Sequence, residues 1–273
     1  MSHKECESTL ESNDYLPFPS EIVELVKHTD TEYTFRMSYT GNVKPGQFFE
    51  ISIPKVGEAP ISVSGIGEGT VDLTIRKAGT VTGHIFECRP GDALFMRGPY
   101  GNGFDIEDYR HRELFIIAGG TGFSPVRGVA DYFFRHPGET KGLTIAAGFK
   151  TPKDILFRDD FIRWKTRGRV VVTVDSAAGD TAYPVGLVTG YIPVLEIEDP
   201  KEAAAIVVGP PAMMRFSVAG LLDKGFPESH IWVSYERKMC CGIGKCGHCR
   251  INDSYVCVDG PVFLLSRAKA LLD

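Results

Sequence analysis

Seven cysteines occur in the 273-residue chain, and four of them fall within the ten residues "CCGIGKCGHC" at positions 240–249. Clustered thiols serve three chemistries: a disulfide framework, a zinc site or an iron–sulfur centre. Counted from Cys241, the spacing is C-x4-C-x2-C through Cys246 and Cys249, with Cys257 following after seven further residues. This is the plant-type spacing of a [2Fe–2S] cluster. A loop around such a cluster must lay its backbone over the bridging sulfides. Gly242, Gly244 and Gly247 suit this, because glycine takes positive φ freely and lets N–H groups approach sulfur. A zinc ribbon more often shows two separated C-x-x-C knuckles, and this segment has one, at Cys246 and Cys249; zinc remains the alternative. Starting from Cys240 gives C-x5-C, so Cys241 is the expected ligand and Cys240 has no assigned role. His248, between two ligands, is expected to be exposed or locally hydrogen-bonded. Cys6 and the isolated Cys88 read as plain thiols.

A second chemical signal is the glycine-rich run "FIIAGGTGFSPVRG" at 115–128. Gly119, Gly120 and Gly122 permit a tight turn after a strand. Ser124 and Pro125 are expected as helix cap and first helical residue, and a helix N-terminus offers free N–H groups to a phosphate. The stretch "VVGPPAMM" (207–214) ends another apolar strand with Gly209 and Pro210. Ligands of doubly wound sheets bind at the carboxyl ends of strands, so two glycine-bearing strand ends predict a dinucleotide crevice. A nicotinamide gives a hydride and an iron–sulfur cluster takes single electrons, so a flavin is expected between them. Its candidate seats are "APISVS" (59–64) and "IRKAGTVT" (75–82). In the second, Arg76 and Lys77 are expected to neutralise phosphate, with Thr82 capping a short helix.

These groups need a scaffold. Period-two alternation at Tyr33, Phe35, Met37 and Tyr39, at Phe49, Ile51 and Ile53, and at Val71, Leu73 and Ile75 predicts half-buried antiparallel strands. Turn residues between them suggest a small barrel. Beyond residue 113 the apolar runs become continuous: 114–120, 143–149, 170–174 and 205–211. Strands buried on both faces read this way. They alternate with helix-like segments at 124–135, 154–166, 187–196 and 212–224, which predicts right-handed βαβ units in a doubly wound sheet. A third region opens near "IWVSYE" (231–236) and carries the cysteines. The expected division is a polar tail at 1–17, a flavin-binding barrel at 18–108, a nicotinamide-binding α/β domain at 109–228 and a [2Fe–2S] region at 229–273.

Composition is ordinary for a globular protein, with 43% apolar and 24% charged residues. A net charge of −5 without a Lys/Arg-rich run gives no reason to expect nucleic acid as a partner. No apolar signal core occupies residues 1–14 and no stretch reaches a membrane-spanning length, so a cytoplasmic location with reduced thiols is expected. No acid–base dyad or triad stands out; Asp159 and Asp160 read as a solvated helix face.

Together these stretches resemble the ferredoxin–NADP reductase family over residues of about 18 to 226, with a C-terminal iron–sulfur extension. The resemblance implies FAD on Pro60, Ile61, Ser62 and Val63 of the flavin strand and on the phosphate loop from Gly79 through Val81 to Thr82. It implies NAD(P)H on Gly119, Gly120, Thr121, Gly122 and Pro125, and on Gly209, Pro210 and Met213. Ala59 stands where the family has arginine and Ile61 where it has tyrosine. Val208 replaces the cysteine of the second nucleotide turn. The C-terminal stretch from "YERKMCC" to "VCVDGPVF" is similar to electron-transfer subunits of dihydroorotate dehydrogenases and NAD-linked hydrogenases. The whole chain most resembles the B subunits of anaerobic sulfite reductases. This implies ferredoxin-like and sirohaem-containing partner subunits, and no sulfite reduction by this chain alone. NADH is the expected donor; Lys150, meeting a 2′-phosphate, would favour NADPH.

Overall fold

The computed structural model describes residues 13, 15–180 and 182–271. Cys6 and most of the expected polar tail lie outside the described residues.

The alternating segments close a barrel. Strands β1 (Phe18–Lys27), β2 (Glu32–Ser38), β3 (Phe48–Ile53), β4 (Gly57–Gly67), β5 (Thr70–Arg76) and β6 (Ala93–Tyr100) run in the order β1-β2-β5-β4-β3-β6, each pair antiparallel. Successive side chains of a strand point to opposite faces. Phe35 and Met37 of β2, Phe49 and Ile51 of β3, and Val71, Leu73 and Ile75 of β5 therefore fill the interior, all fully buried. A short helix, α1 (Thr80–Ile85), joins β5 to β6.

The continuous apolar runs form a six-stranded sheet in the order β14-β11-β10-β7-β8-β9. Its strands are β7 (Glu113–Gly119), β8 (Gly142–Phe149), β9 (Arg169–Val174), β10 (Ala204–Val208), β11 (Ile231–Ser234) and β14 (Val262–Leu264). All pairs are parallel except β11–β14. Helices α2 (Phe123–Arg135) and α3 (Arg158–Lys165) belong with one face of the sheet, and α4 (Pro211–Asp223) packs on the other. This two-sided cover explains why β7 and β10 have no polar alternation.

Three local expectations are revised. The helical segment expected at 154–166 is shortened to α3, because Phe157 takes a positive φ of 51° immediately before it. The segment at 187–196 is a 3-10 turn, Val188–Val194, with Pro193 inside it, a residue that removes a helical hydrogen bond. The region opening near residue 231 supplies two strands of the main sheet, β11 and β14. The cysteine segment, with its two-residue strands β12 (Arg250–Ile251) and β13 (Ser254–Tyr255) and helix α5 (Val256–Asp259), is thus an excursion between two sheet strands; helix α6 (Leu265–Ala268) follows it. Among the described residues no helix is long and apolar enough to cross a membrane.

Barrel and sheet domain meet at His28, whose ring packs edge-on against Phe157 at 4.6 Å between centroids. The Phe157 N–H donates to His28 Nδ1 at 3.3 Å, so Nε2 carries the proton, donated to Thr34 Oγ1 at 2.7 Å. Burial, and then the nearby Arg127 cation, lower the His28 pKa to about 4. An unfolded histidine titrates near 6.5, so the neutral ring stabilises the fold above that value, and the contribution is lost as pH falls towards 4. The stability advantage of the wild type over His28→Gln should shrink by roughly 2 kcal/mol between about pH 7.5 and about pH 5. Urea midpoints of both proteins at the two pH values measure this; a constant gap would refute it.

Candidate functional site

The two glycine turns sit against each other at the carboxyl end of the sheet. A Cβ on Gly122 would lie 2.8 Å from the Gly209 Cα, and one on Gly119 would lie 2.7 Å from the Met213 sulfur and 3.1 Å from Pro210. A Cβ on Gly209 would meet the Gly119 nitrogen at 3.0 Å. Gly122 and Gly209 are thus required by backbone packing, whereas at Gly119 a Cβ would press on the Met213 and Pro210 side chains. Gly120 differs: its φ is +55°, and a Cβ there would meet nothing within 4 Å, so its backbone faces open space. Thr121 is half-buried beside it, and Pro210 is exposed. The expected cap is corrected. A 3-10 turn, Gly120–Gly122, leads directly into α2 at Phe123, so Ser124 and Pro125 are the second and third helical residues, both buried. The Ser124 hydroxyl oxygen is buried without a hydrogen-bond partner.

On β4 the expected flavin residues divide by the strand's alternation. Ile61 and Val63 point into the barrel core, and the Val63 N–H donates to the Gln47 carbonyl at 2.8 Å. Pro60 is exposed and Ser62 half-buried on the other face, so theirs are the side chains available to a ligand. In the loop before α1, Thr82 Oγ1 accepts the N–H groups of Ala78 and Gly79, each at 3.0 Å, which fixes the turn from inside. Val81 packs partly on the barrel core, and Gly79 borders open space. Lys77 is exposed. Arg76 pairs with Glu32 at 3.2 Å, so part of the charge expected for phosphate is already matched.

The cysteine loop has the glycine geometry expected of it, with φ of 75°, 73° and 81° at Gly242, Gly244 and Gly247. Cys241, Cys249 and Cys257 are buried and Cys246 is exposed. Backbone N–H groups aim at the sulfurs: Lys245 and Cys246 donate to Cys241 Sγ at 3.3 and 3.4 Å, and Gly244 donates to Cys257 Sγ at 3.2 Å. The His248 N–H, followed by the Cys241 thiol, holds Cys246 below the ordinary thiol range. Burial, then the adjacent Cys249 thiol, push Cys257 up to about 12. Buried thiols supplied with N–H donors fit a group that takes thiolates and accepts hydrogen bonds at sulfur, as an iron–sulfur cluster does. Among the described residues no three His, Cys, Asp or Glu side chains converge on one ion-sized point; a two-iron cluster spreads its four thiolates over two metals. His248 and Cys240 are exposed.

Two arginines, neither evident in the sequence, join these parts. Arg97 on β6 is 4% exposed and forks onto Glu58 of β4, from Nε to Oε1 at 2.9 Å and from Nη2 to Oε2 at 2.7 Å. It also donates from Nη1 to the Cys241 carbonyl at 2.6 Å and from Nη2 to the Cys240 carbonyl at 2.7 Å. Burial opposes its charge, but the Glu58 fork and the Tyr100 hydroxyl outweigh this and raise its pKa. Beside it Glu50 is 1% exposed, with Oε1 unpartnered, and burial raises its pKa to about 7 against the pull of Arg97. Arg127 of α2 reaches the Ser64 carbonyl of β4 at 3.1 Å, Asp72 at 3.2 Å and Asp160 at 2.6 Å. Asp160 is consequently no solvated residue: it is buried, and Arg163 pairs with it as well at 2.8 Å. Asp159 is exposed as expected. The partners of Arg97 on the cysteine loop lie 143 and 144 residues away in sequence, so no local pattern could reveal them.

Because Gly122 is packed against backbone and Gly120 is open, their alanine variants should differ in kind. Gly120→Ala should cost about 1–2 kcal/mol for its positive φ alone. Gly122→Ala must push two turns apart and should cost more, about 3 kcal/mol or above. Denaturant unfolding of both variants gives the ranking, and equal losses would contradict this assignment.

Known proteins resemble this chain in sequence and fold. Residues 116–219 match the oxidoreductase NAD-binding domain, and residues 236–268 match the iron–sulfur cluster binding domain of dihydroorotate dehydrogenase B. The chain is 35% identical to the sulfhydrogenase 1 gamma subunit of Pyrococcus furiosus, over 92% of this chain and 91% of that one. It is 34% identical to a probable dihydroorotate dehydrogenase B (NAD(+)) electron transfer subunit of Thermoplasma volcanium, covering 89% and 87%. Among solved structures, a chain of an NADH-dependent reduced ferredoxin–NADP oxidoreductase superimposes with a TM-score of 0.76 at 27% identity, covering 90% of this chain and 88% of that one. A ferredoxin–NADP+ reductase from Neisseria gonorrhoeae, at 16% identity and a TM-score of 0.69, shares the fold over 80% of this chain and 97% of its own length. This chain therefore belongs to the ferredoxin–NADP reductase-like family of oxidoreductase subunits that includes the sulfhydrogenase gamma subunits and the electron transfer subunits of dihydroorotate dehydrogenase B.

Proposed function

We propose that this chain is an electron-transfer subunit that oxidises NADH at a barrel-bound FAD and delivers single electrons through a [2Fe–2S] cluster to a partner subunit. One observation carries this reading. Strand β4, the expected flavin strand, is gripped at Ser64 by the arginine of the helix that follows the nicotinamide turn, and at Glu58 by the arginine that holds the cysteine loop. A flavin on β4 would thus lie between donor and exit. The groups supply the redox chemistry: a nicotinamide gives two electrons as a hydride, a flavin holds them, and a cluster passes one at a time. The protein binds and orients them.

In this reading residues 18–108 hold the flavin, with Pro60 and Ser62 facing it, Ile61 and Val63 contributing only backbone, and the loop of Lys77, Gly79, Val81 and Thr82 facing its phosphates. Arg76 divides its charge between that loop and Glu32. Residues 109–228 hold NADH, with Gly120 and Thr121 giving backbone to its phosphates, while Gly119, Gly122, Gly209, Pro210 and Met213 shape the crevice and Pro125 lies in the first turn of the supporting helix. Residues 229–273 hold the cluster on Cys241, Cys246, Cys249 and Cys257.

The proposed acceptor, from the sequence resemblance, is a pair of sulfite-reducing subunits, one ferredoxin-like and one containing sirohaem, in the cytoplasm. The second reading, a hydrogenase partner, is favoured by the 35% identity to a sulfhydrogenase gamma subunit over nearly the full length of both chains. Anaerobic affinity purification decides between them by the partner recovered: a sirohaem protein, a hydrogenase or a dihydroorotate dehydrogenase.

Protein purified without oxygen should show flavin absorption bands together with iron and acid-labile sulfide in equal amounts. Cys241→Ser should lose the iron and sulfide while retaining the flavin bands, and Cys240→Ser should keep both. Zinc without a visible chromophore in the wild type would overturn the proposal in favour of a non-redox interaction module.

A further inference from the structure

The cysteine loop is joined to the barrel through one buried side chain. In the barrel register Arg97 of β6 lies opposite Glu50 of β3, and Glu50 lies opposite Pro60 of β4. Three adjacent strands thus carry one lateral row, with Arg97 and Pro60 roughly 10 Å apart at about 4.8 Å per strand. The Arg97 guanidinium turns along this row in both directions. Towards β4 it takes both oxygens of Glu58, two residues before Pro60. Towards the loop it takes the carbonyls of Cys240 and Cys241. The adjacent cysteines therefore have different tasks: Cys241 offers a thiol and a carbonyl, whereas Cys240 offers its carbonyl and leaves its own thiol exposed.

We propose that Arg97 is a positioning residue that seats the cluster loop on the flavin strand and raises the reduction potential of the cluster held there. The inference rests on the reading that FAD and a [2Fe–2S] cluster are bound, and it deepens that reading. Only a planar fork with five N–H donors meets a carboxylate bidentately and two carbonyls at once; a lysine ammonium is a point charge with three. The same group is a cation withdrawn from water. Beside it Glu58 is paired, but Glu50 has one oxygen without a partner. A cluster gains one negative charge on reduction, and a nearby buried cation favours that state. With both groups bound, reduction of the cluster would take one electron from the reduced flavin and turn one Fe(III) into Fe(II), while Arg97 would keep its proton and supply only the seat and the charge.

The test uses wild-type, Arg97→Met and Arg97→Lys proteins loaded with flavin and cluster and prepared anaerobically. Iron and sulfide content, the midpoint potential of the cluster followed by electron paramagnetic resonance, and the rate of cluster reduction after mixing with NADH are measured. Arg97→Met with full iron should show a lower cluster potential, and cluster reduction slowed about tenfold or more relative to flavin reduction. Arg97→Lys should restore the potential and only part of the rate. An Arg97→Met protein with full iron, wild-type potential and wild-type rate would overturn the inference. Should Arg97→Met lose its iron, Arg97→Lys carries the test: slowed cluster reduction supports the seat, and wild-type rate and potential refute it. A wild-type protein without flavin or without iron and sulfide would instead overturn the proposed function.

Discussion

A guanidinium withdrawn from water must return its N–H groups to acceptors, because a buried charge left unmatched costs several kcal/mol. Arg97 meets this demand from two directions. Glu58 supplies a carboxylate from the barrel and the Cys240–Cys241 peptides supply carbonyls from the loop. Neither set alone satisfies the fork. The contact therefore behaves as a conditional one: the loop is held only while the barrel presents Glu58, and Arg97 is tolerable in the interior only while the loop is seated. Asn102, just beyond β6, adds a neutral clamp on the turn that follows Cys257. Its side chain donates to the Val262 carbonyl at 2.7 Å, and its backbone N–H donates to the Gly260 carbonyl at 2.7 Å. The loop is thus tied to the barrel on both sides of its cysteines.

Arg127 repeats the arrangement at the other junction. It sits on α2, which follows directly on the glycine turn, and it spans Asp160 of α3 and Asp72 and the Ser64 carbonyl of the barrel. Asp72 is itself shared with Arg36 at 2.8 Å. Both junctions thus use a partly or fully buried arginine against a barrel carboxylate, and both end on β4 or its hairpin partner β5. Bidentate charge-assisted bonds fix orientation as well as distance. That suits a strand proposed to hold a planar ligand between two other proposed binding regions.

The division between what the sequence disclosed and what it hid follows the range of the interactions. The cysteine spacing is a local code, since four proposed ligands and three glycines would wrap one small object, and the loop has the positive φ values expected of those glycines. Burial on one face writes itself into β2, β3 and β5, and burial on two faces into β7, β8, β9 and β10, so the barrel and the sheet are legible from the periodicity of these strands. The glycine turns were legible as turns, but not in their detail. Gly119, Gly122 and Gly209 are glycines because two turns press together, a constraint shared between positions about ninety residues apart, and only Gly120 stands open. Asp160 reads as solvated in the sequence because its partner Arg127 belongs to a different helix. β14 leaves no trace in the sequence pattern, because three residues, Val262–Leu264, are too few to show a period.

The placement of the cysteine segment follows from the same geometry. It leaves the sheet after β11 and returns as β14, which pairs antiparallel with β11, so both ends of the excursion are anchored on one strand. Cys249 and Cys257 belong to the same apolar cluster as Phe115 and Val207 of the sheet, and as Phe48 and Tyr100 of the barrel. A loop anchored at both ends and buried along one side has little freedom to rotate, so whatever its thiols bind inherits the rigidity of sheet and barrel together. Its other side, with Cys246, Lys245 and His248, remains exposed. A cluster held there would face β4, the proposed flavin strand, through Arg97 and the solvent through Cys246, an arrangement suited to a one-electron outlet.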